Sequence, residues 1–480
     1  MKKTKIVCTI GPACQDEAAL EAMIKAGMNV ARLNFSHGDH DYHRETIEML
    51  RGVRDRLGVP LAIMLDTKGP EIRLRDFEGG GADLEDGAAF TLTTRELTGS
   101  ETIVSVSFAG LPSSLKAGDR LLVDDGKIEL RVRSVSQTDV ACEVVHGGRV
   151  SNHKSVNMPG VHLDIPSLSG SDREDLLFGI EQSVDFVAAS FIRSGEDVTE
   201  IRKFIDYNGG HDIRIISKIE NTEGIENFDD ILSLSDGIMV ARGDMGVEVE
   251  YERLPGLQKR FIRKCYQTGK MVITATQMME SMIHNPSPTR AEITDVANAV
   301  FDGTSAVMLS GETAAGSYPV NAVKAMARIA AQAEHDAFEM KVYRDLHCEV
   351  DRSDTPNAVC DAACRAARDI DAKAIIVLTK YGQTARSMSK YRPNQPIVAA
   401  TPELKTYHQL SLSWGVYPVI ARLQNNSDDL LQHAIDCAKQ IDAVTDGDMV
   451  VIAAGVPLDT PGNTNLLKVE VVGAKKRALR

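Results

Sequence analysis

The sequence predicts an α/β protein in three parts: a (β/α)8 barrel, an all-β lid domain inserted into it, and a C-terminal α/β domain with a mostly parallel open sheet. Eight short apolar runs, most of them followed by amphipathic helical stretches, predict the barrel. A helix-poor interval of alternating residues predicts the insert. A second series of strand and helix patterns beyond residue 345 predicts the last domain.

The runs are KIVCTIGP (5–12), NVARLNFSHG (29–38), LAIMLDTKGP (61–70), DFVAASF (185–191), IRIISKIEN (213–221), GIMVARGDMG (237–246), MVITATQM (271–278) and AVMLSGE (306–312). Strands this continuously apolar are buried on both faces, as in a parallel sheet. The first intervening helix is legible in DEAALEAMIKAG (16–27), where residues 19, 20, 23 and 24 share an apolar face and Gly27 stops the helix. From 71 to 167 the period switches to two, as in TIVSVSF (102–108) and KIELRVRSV (127–135), with turn signals at GGG (79–81) and DDG (124–126). Excising that interval leaves 1–70 and 168–344, close to the roughly 250 residues of such a barrel. From 345 to 480, TPNAVCDAACRAARDI (355–370) reads as a helix with Thr355 as its cap and Pro356 in its first position. The strands AKAIIVLT, QPIVAAT and GDMVVIAAG alternate with helices after it, and the basic tail GAKKRALR is expected to fray.

The chain has 480 residues, 43% hydrophobic and 25% charged, with a formal net charge of −14. That balance is globular, and its sign argues against nucleic acid and anionic membrane as partners. No apolar run reaches membrane-spanning length, and the one before Gly11-Pro12 is shorter than a secretory core, so a cytoplasmic location is expected. Eight cysteines without a CxxC pair read as buried thiols. The histidines of SHGDHDYHRE (36–45) lack a thiol or further ligand nearby, and read as a helix start capped by Asp39 or Asp41 rather than as zinc ligands. TQMMESMI (276–283) reads as core packing.

The stretch IISKIEN (215–221) is chemically odd. Residues i and i+2 of a strand point the same way, so Lys218 and Glu220 project together from a strand otherwise fit for burial. In a (β/α)8 barrel, polar residues at the C-terminal strand ends form the site. The second strand supplies Arg32, Asn34 and Ser36; the third, Asp66 and Thr67, followed by Lys68 and Arg73; the sixth, Arg242, Gly243 and Asp244; the seventh, Thr274 and Thr276; the eighth, Ser310 and Glu312. Glu220 and Asp244 on adjacent strands can share a hard divalent cation such as Mg²⁺, with substrate oxygens and water completing its shell. Asn34, Ser36, Asp66 and Thr67 form an oxygen-rich cluster with one formal charge, better suited to a monovalent cation. Arg32 and Lys218 are fixed positive groups for phosphoryl oxygens. Two cation pockets and two fixed positive charges suit phosphoryl transfer, whose catalysis is mostly positioning and charge stabilisation. Arg242 reads as an orienting or interface residue rather than a catalytic one.

Taken together, ARLNFSHG, LDTKGPEIR, ISKIEN, DGIMVARGDMGVE, VITATQMMESM with NPSPTRAE, and AVMLSGETAAGSYP closely resemble the pyruvate kinase family in its bacterial form, in order and at barrel spacing. The resemblance runs through nearly the whole chain and is weakest in the insert and at the C-terminus. It implies transfer of the phosphoryl group of phosphoenolpyruvate to ADP, giving pyruvate and ATP in the last step of glycolysis. Lys218 is similar to the family's lysine on the transferring phosphoryl group. Glu220 and Asp244 match its Mg²⁺ (or Mn²⁺) ligands, and Arg32, Gly243, Asp244 and Thr276 match substrate-binding positions. The resemblance gives Asn34, Ser36, Asp66 and Thr67 to the K⁺ site, and Glu71 to the potassium-dependent form. Asn34, His37, Arg73 and Lys154 match the nucleotide side. It also implies a homotetramer.

In the C-terminal domain, KYGQT joins a strand to a helix, and a Gly-containing turn of that kind can cradle phosphate. It resembles the family's effector loop, which places Thr379, Lys380, Gly382, Gln383 and Thr384 around a sugar phosphate. The partner loop GVPLDTPGNTN (455–465) carries Asp459 where some relatives have a basic residue. Fructose 1,6-bisphosphate is then the first expectation, and a monophosphate such as ribose 5-phosphate or AMP the second. Two rival readings are another Mg²⁺-dependent barrel enzyme acting on a pyruvate enolate, such as a lyase, and a non-catalytic metabolite sensor on the same fold. The lyase gives no role to Lys218 or to the potassium cluster.

Overall fold

The structure, a computed structural model, describes residues 1–344, 354–422, 427–456 and 462–474. Eight parallel strands close into a barrel: Lys5–Thr9, Val30–Asn34, Ala62–Asp66, Phe186–Ala189, Arg214–Ile219, Gly237–Ala241, Met271–Ala275 and Ala306–Leu309. All eight lie within the apolar runs of the sequence, and the last pairs with the first to close the ring.

Each strand divides its residues between two cores. In the fifth, Ile215 and Ile219 face the shell of helices, whereas Ile216 joins Val7, Val30, Met64, Phe186, Met239 and Ile273 inside the barrel. The period of two then dictates that Lys218 and Glu220 continue the inner row of Ile216. The same count carries the row of Val7 to Thr9, Val30 to Arg32 and Asn34, and Met64 to Asp66. The barrel is thus apolar at its middle and polar at its C-terminal mouth. Leu412, from the C-terminal domain, is fully buried within this inner cluster, and its turn packs against the first strand.

The insert leaves after the third strand. It holds a six-stranded sheet, in the order Val156–Asn157, Arg120–Val123, Ile128–Val135, Asp139–His146, Ala89–Thr93 and Ile103–Ser105, and a two-stranded one of Gly148–Ser151 with Gly81–Leu84. Asp124, Asp125 and Gly126 all have positive φ and make the tight turn that DDG signals. One four-residue helix, Leu111–Ser114, stands in an interval with no helical period, too short to leave one. The C-terminal sheet runs in the order Val416–Ile420, Ile397–Thr401, Ala374–Leu378, Met449–Gly455, Thr464–Val471, parallel except for the last pair.

Helix starts follow their side chains. Asp16 and Asp39 cap the first two long helices. In the helix Thr355–Asp369 the cap is Asp354, which accepts from the Asn357 N–H; Thr355 is already inside. This corrects the expectation at Thr355: the carboxylate one residue earlier outcompetes the hydroxyl for the free N–H groups. Met278, Met279 and Met282 are fully buried, as core packing requires.

Candidate active site

Lys218 and Glu220 meet at the barrel mouth, with Lys218 Nζ 3.0 Å from Glu220 Oε1. The ammonium also reaches Asp66 Oδ1 at 3.1 Å and Ser190 Oγ at 2.7 Å. Arg32 Nε donates to Asp66 Oδ2 at 2.5 Å, and another of its N–H groups to Thr9 Oγ1 at 2.8 Å. Asp66 thus lies fully buried between two cations. Burial opposes its ionisation, but Arg32 and Lys218 outweigh burial and hold its carboxyl below the usual range. Burial likewise works against charge on Lys218, and Asp66 and Glu220 more than reverse it, so the ammonium stays protonated.

Glu220 and Asp244, the two candidate cation ligands, shift the opposite way from Asp66. Burial pushes the Glu220 carboxyl up to about 7, against the pull of Lys218 and with Asp244 adding to the rise. Burial raises Asp244 too, while Asp125 and Glu71, approaching from the lid side, add repulsion. A buried carboxylate and a half-buried one that resist ionisation beside further carboxylates fit a divalent cation, which would offset the charge they hold.

Asp244 does not sit on the sixth strand. It lies in the first turn of the short helix Arg242–Glu248 that follows, and this turn brings it toward Glu220. Thr276 is also one residue past its strand, at φ +62, followed by Gln277 at φ +54. Successive left-handed non-glycine residues are costly and mark a functional turn. Here the turn lets the Thr276 hydroxyl accept the Gly243 N–H at 2.7 Å. Arg242 clamps the Ala275 and Thr276 carbonyls and pairs with Asp295 at 2.7 Å, an orienting role.

Asn34 and Asp66 are register partners on adjacent strands, and Asn34 Oδ1 accepts the Ser36 N–H at 3.2 Å. The Thr67 hydroxyl accepts from the Ser190 N–H. Arg73 and Lys154 come together at the base of the lid, where Arg73 bridges to Ser155; Arg73 pairs with Glu71 at 2.7 Å and Lys154 with Asp124 at 2.8 Å. His37 is exposed in the loop after the second strand. A cavity of about 380 Å³ opens between lid and barrel, lined by Glu71, Asp125, Asn157, Arg193, Thr222 and Asp244 among others. Ser190, Thr9 and the Phe191 N–H, which donates to Glu220 Oε2 at 2.6 Å, were not among the residues singled out in the sequence. Extending the inner row of Phe186 and Ala188 by two would have found Ser190.

In the C-terminal domain, Thr379 Oγ1 accepts the Gly382 N–H at 3.0 Å and the hydroxyls of Thr384 and Thr464 lie 2.7 Å apart. Lys380 is half exposed, 4.0 Å from Glu403. Gly382 takes φ +78 at the start of the helix Gln383–Ser389. Asp459 and its neighbours 457–461 lie outside the described residues.

A closed barrel whose mouth holds an ammonium, a guanidinium and two reluctant carboxylates under a β lid is that of a barrel enzyme for an anionic substrate. The family model for the pyruvate kinase barrel domain matches residues 1–323, and that for the pyruvate kinase alpha/beta domain matches 357–470. A pyruvate kinase of Clostridium acetobutylicum is 48% identical over 98% of this chain and 100% of its own length. One of Staphylococcus haemolyticus is 48% identical over 98% of this chain and 81% of its own. A crystal structure of a pyruvate kinase from Cryptosporidium parvum superposes with a TM-score of 0.92 at 40% identity, covering 98% of this chain and 96% of that one. The chain belongs to the pyruvate kinase family.

Proposed function

We propose that the protein transfers the phosphoryl group of phosphoenolpyruvate to ADP, giving pyruvate and ATP. The observation that carries this reading is Lys218, a buried ammonium kept charged at the barrel mouth beside the Glu220–Asp244 carboxylate pair. Arg32 binds phosphate and carboxylate oxygens of the substrate, and Thr276 and Gly243 position its carboxylate end. Lys218 meets the charge that develops on the phosphoryl group in flight; one such preoriented donor contributes roughly 3–4 kcal/mol. The lid excludes water, which would otherwise divert the transfer to hydrolysis.

Glu220 and Asp244 would hold Mg²⁺ or Mn²⁺, which would neutralise substrate oxygens beside Lys218. Asn34, Ser36, Asp66 and Thr67 would hold K⁺, and Glu71 is the residue of the potassium-dependent form. Asn34, His37, Arg73 and Lys154 serve the nucleotide. The catalytic barrel comprises 1–70 and 168–344, the lid 71–167, and a regulatory domain 345–480. There Thr379, Lys380, Gly382, Gln383 and Thr384 bind a phosphorylated sugar that activates the enzyme. A cytoplasmic homotetramer completes the reading. Among the described residues no helix is long and apolar enough to cross a membrane.

A coupled assay with phosphoenolpyruvate and ADP, run with and without Mg²⁺ and K⁺, tests it. Turnover that needs both nucleotide and cations supports the reading. Conversion of phosphoenolpyruvate without ADP would point to a lyase, and no turnover with every cation supplied would revive the sensor.

A further inference from the structure

The loop Ser190–Phe191, at the end of the fourth barrel strand, touches three things far apart in sequence: Lys218, Glu220 and the hinge into the lid. An ammonium has three N–H donors. Around Lys218 the three oxygen partners are Asp66 at 3.1 Å, Glu220 at 3.0 Å and Ser190 at 2.7 Å. Both carboxylates have other claims on them, Asp66 from Arg32 and Glu220 from the Phe191 N–H. Ser190 is the neutral partner, and its Oγ lies 2.6 Å from the Thr67 carbonyl and 3.3 Å from Asp66 Oδ1, either of which can accept its O–H.

Phe191 follows at φ +55, unusual for an aromatic residue, and this turn aims its N–H at Glu220 Oε2 at 2.6 Å. On the opposite side lies Gly69, at φ +73 in the segment leading into the lid. A methyl group on Gly69 would stand 2.9 Å from the Phe191 ring and 2.9 Å from Ser190 Cβ. The Gly69 N–H is fixed by Asp172 Oδ1 at 2.9 Å. The other oxygen of that buried carboxylate accepts from Ser169, which caps Gly170–Glu181, the first helix after the lid returns. Arg193, three residues beyond Ser190, donates to the Leu163 and Ile165 carbonyls of the returning segment. Both lid connections are therefore anchored around one loop.

We infer that Ser190 and Phe191 are positioning residues that tie the lid hinge to the alignment of Lys218 and Glu220; this rests on the phosphoryl-transfer reading above. Ser190 sets the direction of the ammonium, the Phe191 N–H sets the Glu220 carboxylate, and a displacement of Gly69 moves both.

The test uses the full chain with three variants. Ser190→Ala is expected to lower kcat about 10- to 100-fold, with the KM for phosphoenolpyruvate within about threefold and Mn²⁺ affinity within about twofold. Gly69→Ala is expected to lower kcat similarly and also to weaken Mn²⁺ binding, read from the free-ion electron spin resonance signal, about tenfold. Unchanged kcat in Ser190→Ala, or a change in KM alone, overturns the inference, as does a Gly69→Ala protein with normal kcat and Mn²⁺ affinity. Should Gly69→Ala not fold, Ser190→Ala decides. Lys218→Met separates the two levels: if it loses kcat while Ser190→Ala keeps it, this inference alone falls; if it keeps kcat, the phosphoryl-transfer reading falls too.

Discussion

Two lysines lie on the inner rows of the same barrel, at opposite ends, and are held in opposite ways. Lys218, at the mouth, is surrounded by oxygen: two carboxylates and a hydroxyl, which keep it charged. Lys5, at the base of the first strand's row, is more deeply buried but donates to the Val416 carbonyl at 2.6 Å and lies 4.7 Å from the Tyr417 ring. The nearest carboxylate, Glu334, is spent on the Lys3 and Thr4 N–H groups. Burial therefore pulls Lys5 down to about 7, with Lys2 adding to the fall and Glu334 only partly opposing it. A barrel interior does not by itself keep an ammonium charged. The mouth spends buried carboxylates to do so, and the base, where the C-terminal domain docks, does not.

The comparison can be broken from either end. The largest effect is expected at the carboxylates of the mouth. Glu220→Ala or Asp244→Ala should cut kcat by about 10³ and shift activity to much higher Mg²⁺ concentrations, since one hard ligand of two is gone. A Mg²⁺ titration of activity checks this. Asp66→Ala leaves two buried cations facing each other, and should cost about 3–5 kcal/mol in urea unfolding. If the loss were under about 1 kcal/mol, the network would not be holding those charges.

At the base the readout is pH. Lys5 binds its proton with a value of about 7 when folded against 10.5 when unfolded, so the unfolded chain binds more protons between those limits. Stability should then rise with pH across that window. Lys5→Met, which removes the titration at similar volume, should flatten part of this rise, leaving the share of Lys2, which burial also lowers. Unfolding midpoints at pH 7 and pH 9.5 compare the two proteins. The smallest basal effect belongs to Lys380→Ala with Thr384→Ala, a pair distant from the mouth. Turnover without effector should stay within about twofold, while activation by a sugar phosphate disappears.

Much of the barrel was legible because it obeys one rule twice. Unbroken apolar runs marked the strands, and the period of two along them put Lys218 with Glu220, and Arg32 with Asn34, on a shared face. The rule failed where the chain leaves the strand. Asp244 reaches Glu220 through a helical turn, and Thr276 reaches Gly243 through left-handed backbone; neither conformation is written in a strand pattern. Ser190 was readable by the same period but ends a run of small residues and resembles a turn. Leu412 in the barrel core was not readable, because it comes from another domain and its partners lie more than 100 residues away in sequence. Lys5 reads as an ordinary basic N-terminus until tertiary packing buries it.

The central claim is that the charged ammonium of Lys218 stabilises the phosphoryl group in transfer. Steady-state turnover of Lys218→Met with phosphoenolpyruvate, ADP, Mg²⁺ and K⁺ at saturation, alongside direct binding of phosphoenolpyruvate, tests it. kcat is expected to fall about 10²-fold or more while substrate affinity changes by less than about tenfold, because the interaction strengthens in the transition state. A variant with near-normal kcat, or one whose whole defect lies in substrate binding, would contradict it.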